Sequence, residues 1–281
     1  MPETARAPFI TPANRAHGQR LVAAIGSGSI LVTGETMVGK SFLVRHWLGA
    51  VDPARYLILE LEQLGSRSPL RQVADHLGVG GDLAVDVLAA HCCAALEDGR
   101  EMTVVVDSAE RLPEWVWQQL LVLHQTVAGV HFLWIGRLDI KQRMEVVHYR
   151  PLVAAIVCRV HLLAYAADES TQYCCEYLAR TAPQVGLSPE GHAAVYGFAL
   201  GYIPNTERVL DEAVALAQSR GHDEIEPLMV RVAIDALRGT AEWRPPGAVR
   251  RRGCAPRATA LVVAGLAALV SGIAILTHFA G

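Results

Sequence analysis

The sequence predicts an α/β fold in three parts: a core built on a parallel sheet, a smaller all-helical lid domain and a C-terminal transmembrane helix. Up to about residue 150, short apolar segments alternate with amphipathic helical ones, as in a parallel sheet covered by helices on both faces. From residue 151 the strand signals fade and the apolar positions follow a helical period. Near the C-terminus, the segment 258–280 carries no Asp, Glu, Lys or Arg and is long enough to cross a bilayer.

These patterns divide the chain into an α/β domain at 1–150, a helical lid domain at 151–240, a Pro/Arg-rich linker at 241–257 and a transmembrane helix at 258–280. In the first part, strands are predicted at 29–33, 55–60, 102–107 and 130–135, and helices at 40–48, 69–77, 83–96 and 114–123. In the second part, helices are predicted at 168–180, 190–200, 206–220 and 226–237.

A glycine-rich loop lies between the first predicted strand and the first predicted helix. Its residues fit the pattern GxxxxGK[ST] at every required position: Gly34, Glu35, Thr36, Met37, Val38, Gly39, Lys40 and Ser41. Glycine lets the backbone approach a phosphate closely, so that N–H groups and the positive end of the helix dipole point at it. In such loops the lysine bridges the β- and γ-phosphates and the serine hydroxyl binds Mg²⁺. The loop therefore predicts a P-loop nucleotide-binding fold that binds ATP with Mg²⁺.

A buried strand that ends in Asp107 supplies the second nucleotide motif. In P-loop proteins, a carboxylate at the end of a neighbouring strand lies beside the phosphate loop and binds Mg²⁺. The position of Asp107 along the chain suits a strand of the same sheet as the loop strand. Ser41 and Asp107 are therefore the predicted Mg²⁺ ligands.

Hydrolysis of the nucleotide also needs a group that orients the attacking water. In many P-loop ATPases this is a glutamate directly after the aspartate, but here Ser108 takes that position and the nearest carboxylate is Glu110. Two roles fit Glu110: the base that polarises water, or a solvated acid that favours the N-terminus of the next helix. Arg137 follows the strand at 130–135 and would sense the γ-phosphate if that strand neighbours the loop strand; the alternative is a surface arginine. Glu110 and Arg137 are the candidate catalytic residues.

With these motifs the chain resembles the AAA+ ATPases typified by the general secretion pathway protein A of type II secretion, whose relatives include transposition ATPases. The likeness extends from about Phe9 to Leu237. Its further features are the turn at Gly136 and Arg137, a strand at 159–162 followed by Asp168 and Glu169, and the lid sequence Gly201, Tyr202, Ile203 and Pro204. The resemblance implies an ATP-binding core with a helical lid, oligomerisation that completes the active site in trans, and a membrane anchor after the ATPase.

Two departures from the family pattern bear on the rate of hydrolysis. The family usually has Asp-Glu where this chain has Asp107 and Ser108. It usually has an arginine after the lid motif, where this chain has Asn205, and the nearest arginine is Arg208. The sequence therefore predicts an ATPase, but Ser108 leaves its hydrolytic step in question.

The distribution of charge along the chain argues against nucleic acid as a partner and in favour of a membrane. Residues 1–243 contain 28 acidic and 20 basic residues, a net charge of −8, whereas binding to a nucleic acid backbone requires a basic surface. Arginines cluster just before the apolar segment, which places the preceding domain in the cytoplasm by the positive-inside rule. The N-terminus has no signal-peptide pattern. We therefore expect a single-pass protein of the bacterial inner membrane, held there by 258–280, with its ATPase domain in the cytoplasm.

Three functions are compatible with these features. The first is a membrane-anchored, homo-oligomeric ATPase whose cycle drives assembly or remodelling of an envelope or secretion complex, with protein components of that complex as partners. The second is an ATP-binding switch or scaffold with little hydrolysis, which Ser108 and Asn205 favour. The third is a DNA-associated ATPase of the transposition type, which the resemblance permits and the net charge opposes.

Overall fold

A computed structural model describes residues 9–59, 68–79, 85–96 and 101–238. The predicted linker at 241–257 and the predicted transmembrane helix at 258–280 lie outside these ranges. Among the residues described, no helix combines the length and the apolar character needed to cross a membrane. The chain divides into two compact units, Met1–Pro246 and Gly247–Gly281, and the described residues all belong to the first.

A five-stranded parallel sheet forms the centre of the α/β part, as the sequence predicts. Its strands are β1 (Ser29–Gly34), β2 (Tyr56–Leu59), β3 (Met102–Val106), β4 (Val130–Gly136) and β5 (Ile156–Leu162), in the order β2-β3-β4-β1-β5. β1 pairs with β4 on one side and with β5 on the other. β1 and β3 are buried along their whole length, as is typical of strands covered on both faces.

Seven helices accompany the sheet in the described part of the chain: α1 (Pro12–Ala24), α2 (Lys40–Leu48), α3 (Pro69–His76), α4 (Val85–Ala95), α5 (Glu114–Thr126), α6 (Ile140–Met144) and α7 (Arg150–Ala154). Because successive strand residues point to opposite faces, β3 places Val104 and Val106 in one apolar cluster and Val105 in the other. The first cluster packs under α3, α4 and α5, and its largest members, Trp117 and Trp134, stack with ring centroids 4.8 Å apart. The second packs under α1 and α2.

The fifth strand corrects the predicted boundary between the two domains. The sequence predicts that the α/β domain ends at residue 150, but β5 lies beyond it and pairs with β1 along its length. Buried and exposed residues alternate along β5, because it is an edge strand with one covered face. This alternation gives a weaker apolar signal than the fully buried strands, so the boundary was placed too early. The α/β part extends to Leu162.

The helical region, residues 163–238, contains α8 (Ala167–Thr181), α9 (Pro189–Ala199), α10 (Ile203–Arg220) and α11 (Pro227–Arg238), together with the two-residue strands β6 (Gly186–Leu187) and β7 (Glu224–Ile225). These short strands pair in parallel, so the expected all-helical composition was wrong in this detail. They arise because the loops after α8 and α10 run side by side, with the Gly186 N–H donating to the Asp223 carbonyl at 2.7 Å. The region has an apolar cluster of its own.

Candidate nucleotide-binding site

The phosphate loop, residues 34–41, leads from the end of β1 into α2. Two of its residues have positive φ: Gly39 at 81° and Met37 at 71°. Residues other than glycine rarely adopt this conformation, so Met37 takes a backbone shape that glycine would adopt without strain. Among the described residues, no side chain caps the N-terminus of α2. Its first N–H groups are therefore available to a phosphate.

The start of the loop is packed closely against β5. A Cβ atom on Gly34 would lie 2.4 Å from the backbone oxygen of Leu162, so this position requires glycine. The neighbouring Thr33 is buried, and its Oγ1 lies 3.0 Å from Nδ1 of His161 on β5. These contacts fix the carboxyl end of β1, from which the loop emerges.

Lys40 lies among the charged groups of the site. Its Nζ donates to the backbone oxygens of Gly34, at 3.0 Å, and of Glu35, at 2.5 Å. Burial lowers the pKa of Lys40 below its ordinary value, while the nearby carboxylates of Glu110 and Asp107 act in the opposite direction. The lysine of the loop and the two predicted carboxylates are therefore close enough in space to interact electrostatically.

Asp107 directly follows β3, and the chain turns sharply after it. Its carboxylate accepts a hydrogen bond from the Ser108 N–H at 2.7 Å. Ser108 is left-handed, with φ of 52°, and leads into the 3-10 turn Ala109–Arg111. This turn brings Glu110 back toward the sheet, which the sequence did not reveal.

Glu110 packs against the end of β4, the strand next to β1. Its carboxylate is 11% exposed and accepts the backbone N–H of Arg137 at 3.2 Å. The same carboxylate lies 3.9 Å from the Nε of Arg137. A Cβ atom on Gly136 would lie only 2.8 Å from its Oε2. Glu110 is thus a largely buried carboxylate held beside the phosphate loop, and its part in catalysis stays a prediction.

The guanidinium of Arg137 is held by Asp139, a residue that no sequence motif indicated. Its Nε donates to Oδ1 of Asp139 at 3.3 Å, and its Nη2 forms a closer ion pair with Oδ2. The hydrogen bond to Asp139 raises the pKa of Arg137 above its ordinary value. An aspartate two residues after the arginine was the available signal. The predicted neighbourhood of the loop strand and the Arg137 strand is present, because β1 pairs with β4.

Tyr202 is the second residue of the site that sequence reasoning missed. Its hydroxyl forms a hydrogen bond with the carboxylate of Glu35 in the phosphate loop. The two residues are 167 positions apart, and no pattern in the sequence pairs them. The next residue, Ile203, places its Cδ1 3.6 Å from where a Cβ on Gly39 would lie. The helical region therefore contacts the phosphate loop.

Asn205 stands where the family pattern has an arginine, and it is buried, at 4% exposure. Its Nδ2 has no hydrogen-bond partner among the residues that the structure describes. Asn205 therefore brings no positive charge to this side of the site.

A family comparison matches the part of the chain that carries the nucleotide motifs. Residues 24–144 match the family model described as "AAA domain", and this range contains the phosphate loop, Asp107, Glu110 and Arg137. This part of the chain is similar to the AAA domain family, and the chain has the α/β P-loop NTPase fold.

Among curated proteins, the chain is similar to general secretion pathway protein A of Aeromonas hydrophila, so the predicted resemblance is confirmed. The two are 26% identical over 159 residues, which is 53% of this chain and 29% of the relative. The alignment thus spans less than a third of that protein.

Solved structures share the fold. Cdc6p from Pyrobaculum aerophilum superposes with a TM-score of 0.60 at 16% identity, covering 83% of this chain and 69% of the other. The Aeropyrum pernix ORC2 protein gives 0.59 at 13% identity, with 86% and 72% covered. The RuvB branch migration motor of Thermotoga maritima gives 0.54 at 14% identity, with 82% and 70% covered. At these identities the likeness concerns the fold alone.

Proposed function

We propose that this chain binds ATP with Mg²⁺ at its phosphate loop and hydrolyses it. One observation carries the proposal: the loop 34–41 joins β1 to the N-terminus of α2, and Asp107 follows β3 of the same parallel sheet. Phosphates fit the uncapped N-terminus of α2. Mg²⁺ fits the Ser41 hydroxyl and the Asp107 carboxylate, since it prefers oxygen ligands.

Three residues of the site would have different roles in hydrolysis. Lys40 would hold the β- and γ-phosphates, as in other P-loop proteins. Glu110 would orient and polarise water, with the backbone N–H of Arg137 holding its carboxylate in place. The Arg137 guanidinium would stabilise negative charge that develops on the γ-phosphate.

A specific observation also favours a second function, a nucleotide-dependent switch or scaffold with little turnover. Glu110 already accepts the Arg137 N–H and packs against Gly136, so its carboxylate stabilises the fold at the end of β4. Asn205 is buried and uncharged where the family has an arginine. Both features would suit a protein that binds ATP but hydrolyses little of it.

In the cell, we propose that the nucleotide cycle drives assembly or remodelling of an envelope or secretion complex by a homo-oligomer. The resemblance to general secretion pathway protein A supports this role. The apolar segment 258–280 and the arginines before it support attachment to the bacterial inner membrane, with the ATPase on the cytoplasmic side. The net charge of −8 over 1–243 weighs against nucleic acid as a partner.

ATP binding and turnover by the full chain test the proposal. Lys40→Ala should weaken ATP binding at least about tenfold, since it removes the charge-assisted contact to the phosphates. Glu110→Gln should retain binding and lower turnover by about 10²-fold, the scale of general-base catalysis. Lys141 is the chain's other lysine and is exposed, as is Glu145, so Lys141→Ala and Glu145→Gln are matched controls.

The outcomes separate the two functions. Turnover that falls in Lys40→Ala and Glu110→Gln but not in the controls supports an ATPase with Glu110 as its base. Lys40-dependent binding without turnover indicates the switch. If the wild-type chain binds no ATP in the presence of Mg²⁺, both functions are wrong.

A further inference from the structure

Tyr202 belongs to the helical region by sequence and to the α/β part by packing. It precedes α10 as its N-cap residue. It is 8% exposed and lies in the apolar cluster under α1 and α2, which also contains Val38 of the phosphate loop. Its hydroxyl meets the Glu35 carboxylate at the start of the loop. One side chain therefore combines apolar contact and a hydrogen bond across the two parts.

The turn before Tyr202 gives this contact a fixed geometry. Leu200 and Gly201 both have positive φ, 50° and 76°. A Cβ on Gly201 would lie 2.0 Å from the backbone oxygen of Tyr165, and the Tyr165 N–H donates to the Gly201 carbonyl at 3.1 Å. The backbone around Gly201 is thus anchored to the segment that follows β5. These backbone contacts fix the position of the chain just before Tyr202, from which the Tyr202 side chain reaches the loop.

Two consecutive residues of the helical region contact both ends of the phosphate loop. Tyr202 contacts Glu35 near the beginning, and Ile203 lies beside Gly39 at the point where α2 begins. The backbone N–H groups that a nucleotide phosphate would use lie between these two points. The two contacts therefore lie on either side of the stretch that a nucleotide phosphate would occupy.

We propose that Tyr202 is a positioning residue that latches the helical region onto the phosphate loop and so limits the rate of nucleotide exchange. The proposal rests on the nucleotide binding proposed above. A tyrosine hydroxyl bound to a carboxylate is a charge-assisted hydrogen bond, stronger than one between neutral groups. Tyr202 thus provides a polar contact between the helical region and the loop, whereas the nearby Asn205 is buried and uncharged.

Nucleotide release from the full chain measures the latch. A fluorescent ADP analogue is bound and then displaced with excess ADP, and its release rate is followed by stopped flow. Tyr202→Phe keeps the ring in its apolar cluster and removes only the hydroxyl, so release should become about three- to tenfold faster, the range for losing one hydrogen bond to a charged group that is partly solvated. Glu35→Gln should act in the same direction. The double variant should be no faster than the faster single one, because both remove the same bond.

Tyr173→Phe is the matched control, since the Tyr173 hydroxyl donates to Glu207 at 2.5 Å within the helical region. It removes a bond of the same type that does not reach the loop, so release should stay at the wild-type rate. Unchanged release in Tyr202→Phe overturns the latch, and so does equal acceleration in Tyr173→Phe or additive effects in the double variant.

Hydrogen exchange without nucleotide separates failure of the latch from failure of nucleotide binding. Amides of residues 34–41 should exchange faster in Tyr202→Phe than in the wild type, and amides of α11 should not change. If the wild type binds no nucleotide, the proposed function is wrong, yet this measurement still tests the contact. Equal exchange of the loop amides in both proteins would overturn the latch by itself.

Discussion

Replacing Gly136 with alanine should move the carboxylate of Glu110 without disturbing the sheet. Gly136 ends β4 and does not have positive φ, so alanine fits its backbone. The new Cβ would lie 2.8 Å from Oε2 of Glu110, inside any normal contact, and at an ordinary 3.4 Å from Cδ1 of Ile140. The flexible end of the glutamate is the group that must give way. Its hydrogen bond from the Arg137 N–H should then break.

The size of the effect follows from that bond. A hydrogen bond to a charged group contributes about 1.5–3 kcal/mol, and the 11% exposure of the Glu110 side chain argues against heavy discounting for solvent. Alanine returns about 0.5 kcal/mol by restricting the unfolded chain. We expect a net loss of about 1.5 kcal/mol in the free energy of unfolding. For a protein of this size, that lowers Tm by about 3–6 °C.

A double-mutant cycle attributes the loss to Glu110. Thermal unfolding is measured for the wild type, Gly136→Ala, Glu110→Ala and the double variant. In the Glu110→Ala background there is no carboxylate to displace, so the second substitution should leave Tm unchanged or raise it slightly. ATP turnover of Gly136→Ala should fall along with that of Glu110→Gln if Glu110 is the base. Equal destabilisation by Gly136→Ala in both backgrounds would refute the reasoning, because it would place the clash at Ile140 or the backbone.

Two further predictions concern strain and pH. Met37→Gly relieves a left-handed conformation that costs about 1–2 kcal/mol. It also loses apolar contact and makes the unfolded chain more flexible, so the free energy of unfolding should stay within about 1 kcal/mol of wild type. Met37→Val should be less stable than Met37→Gly by urea unfolding, since β-branched residues fit this region poorly; the reverse order would contradict the strain. Burial lowers the pKa of His131 below 6.5, so the unfolded chain binds the proton first and stability should fall as pH drops below about 6.5. His131→Gln should flatten the decline in urea midpoint between pH 7.5 and 5.5, and an unchanged slope would exclude His131 as the cause.

The buried strands and the loop between β1 and α2 were predictable because their signals are local. The predicted strand at 102–107 and β3 at Met102–Val106 differ by one residue, since an unbroken run of β-branched residues has few other places to lie. The loop pattern required no tertiary information. α1 was not predicted, because Gly18 interrupts its helical pattern. Gly18 leaves room for a residue that is distant in the sequence, since a Cβ there would lie 2.4 Å from the Trp47 ring.

The candidate site was predictable only up to the residues with a motif of their own. Asp107 and Arg137 could be placed because parallel strands end at one edge of the sheet. The contact of Glu110 with the Arg137 N–H could not, because it depends on the left-handed turn at Ser108. The bond from Tyr202 to Glu35 joins residues that only the packing of the helical region brings together.

The charges around the loop connect these separate observations. Four carboxylates lie in this site, those of Glu35, Asp107, Glu110 and Asp139, against two cationic groups. All four accept from a donor within the protein: Asp107 from the Ser108 N–H, Glu110 from the Arg137 N–H, Glu35 from the Tyr202 hydroxyl, and Asp139 from the Arg137 guanidinium. Each of these hydrogen bonds favours the charged form of the carboxylate that accepts it. The proposed nucleotide would add further negative charge to this site, and Lys40, Arg137 and Mg²⁺ would offset it. On this argument the Tyr202 hydroxyl and the Arg137 N–H serve the same purpose, since each donates to a carboxylate of the site.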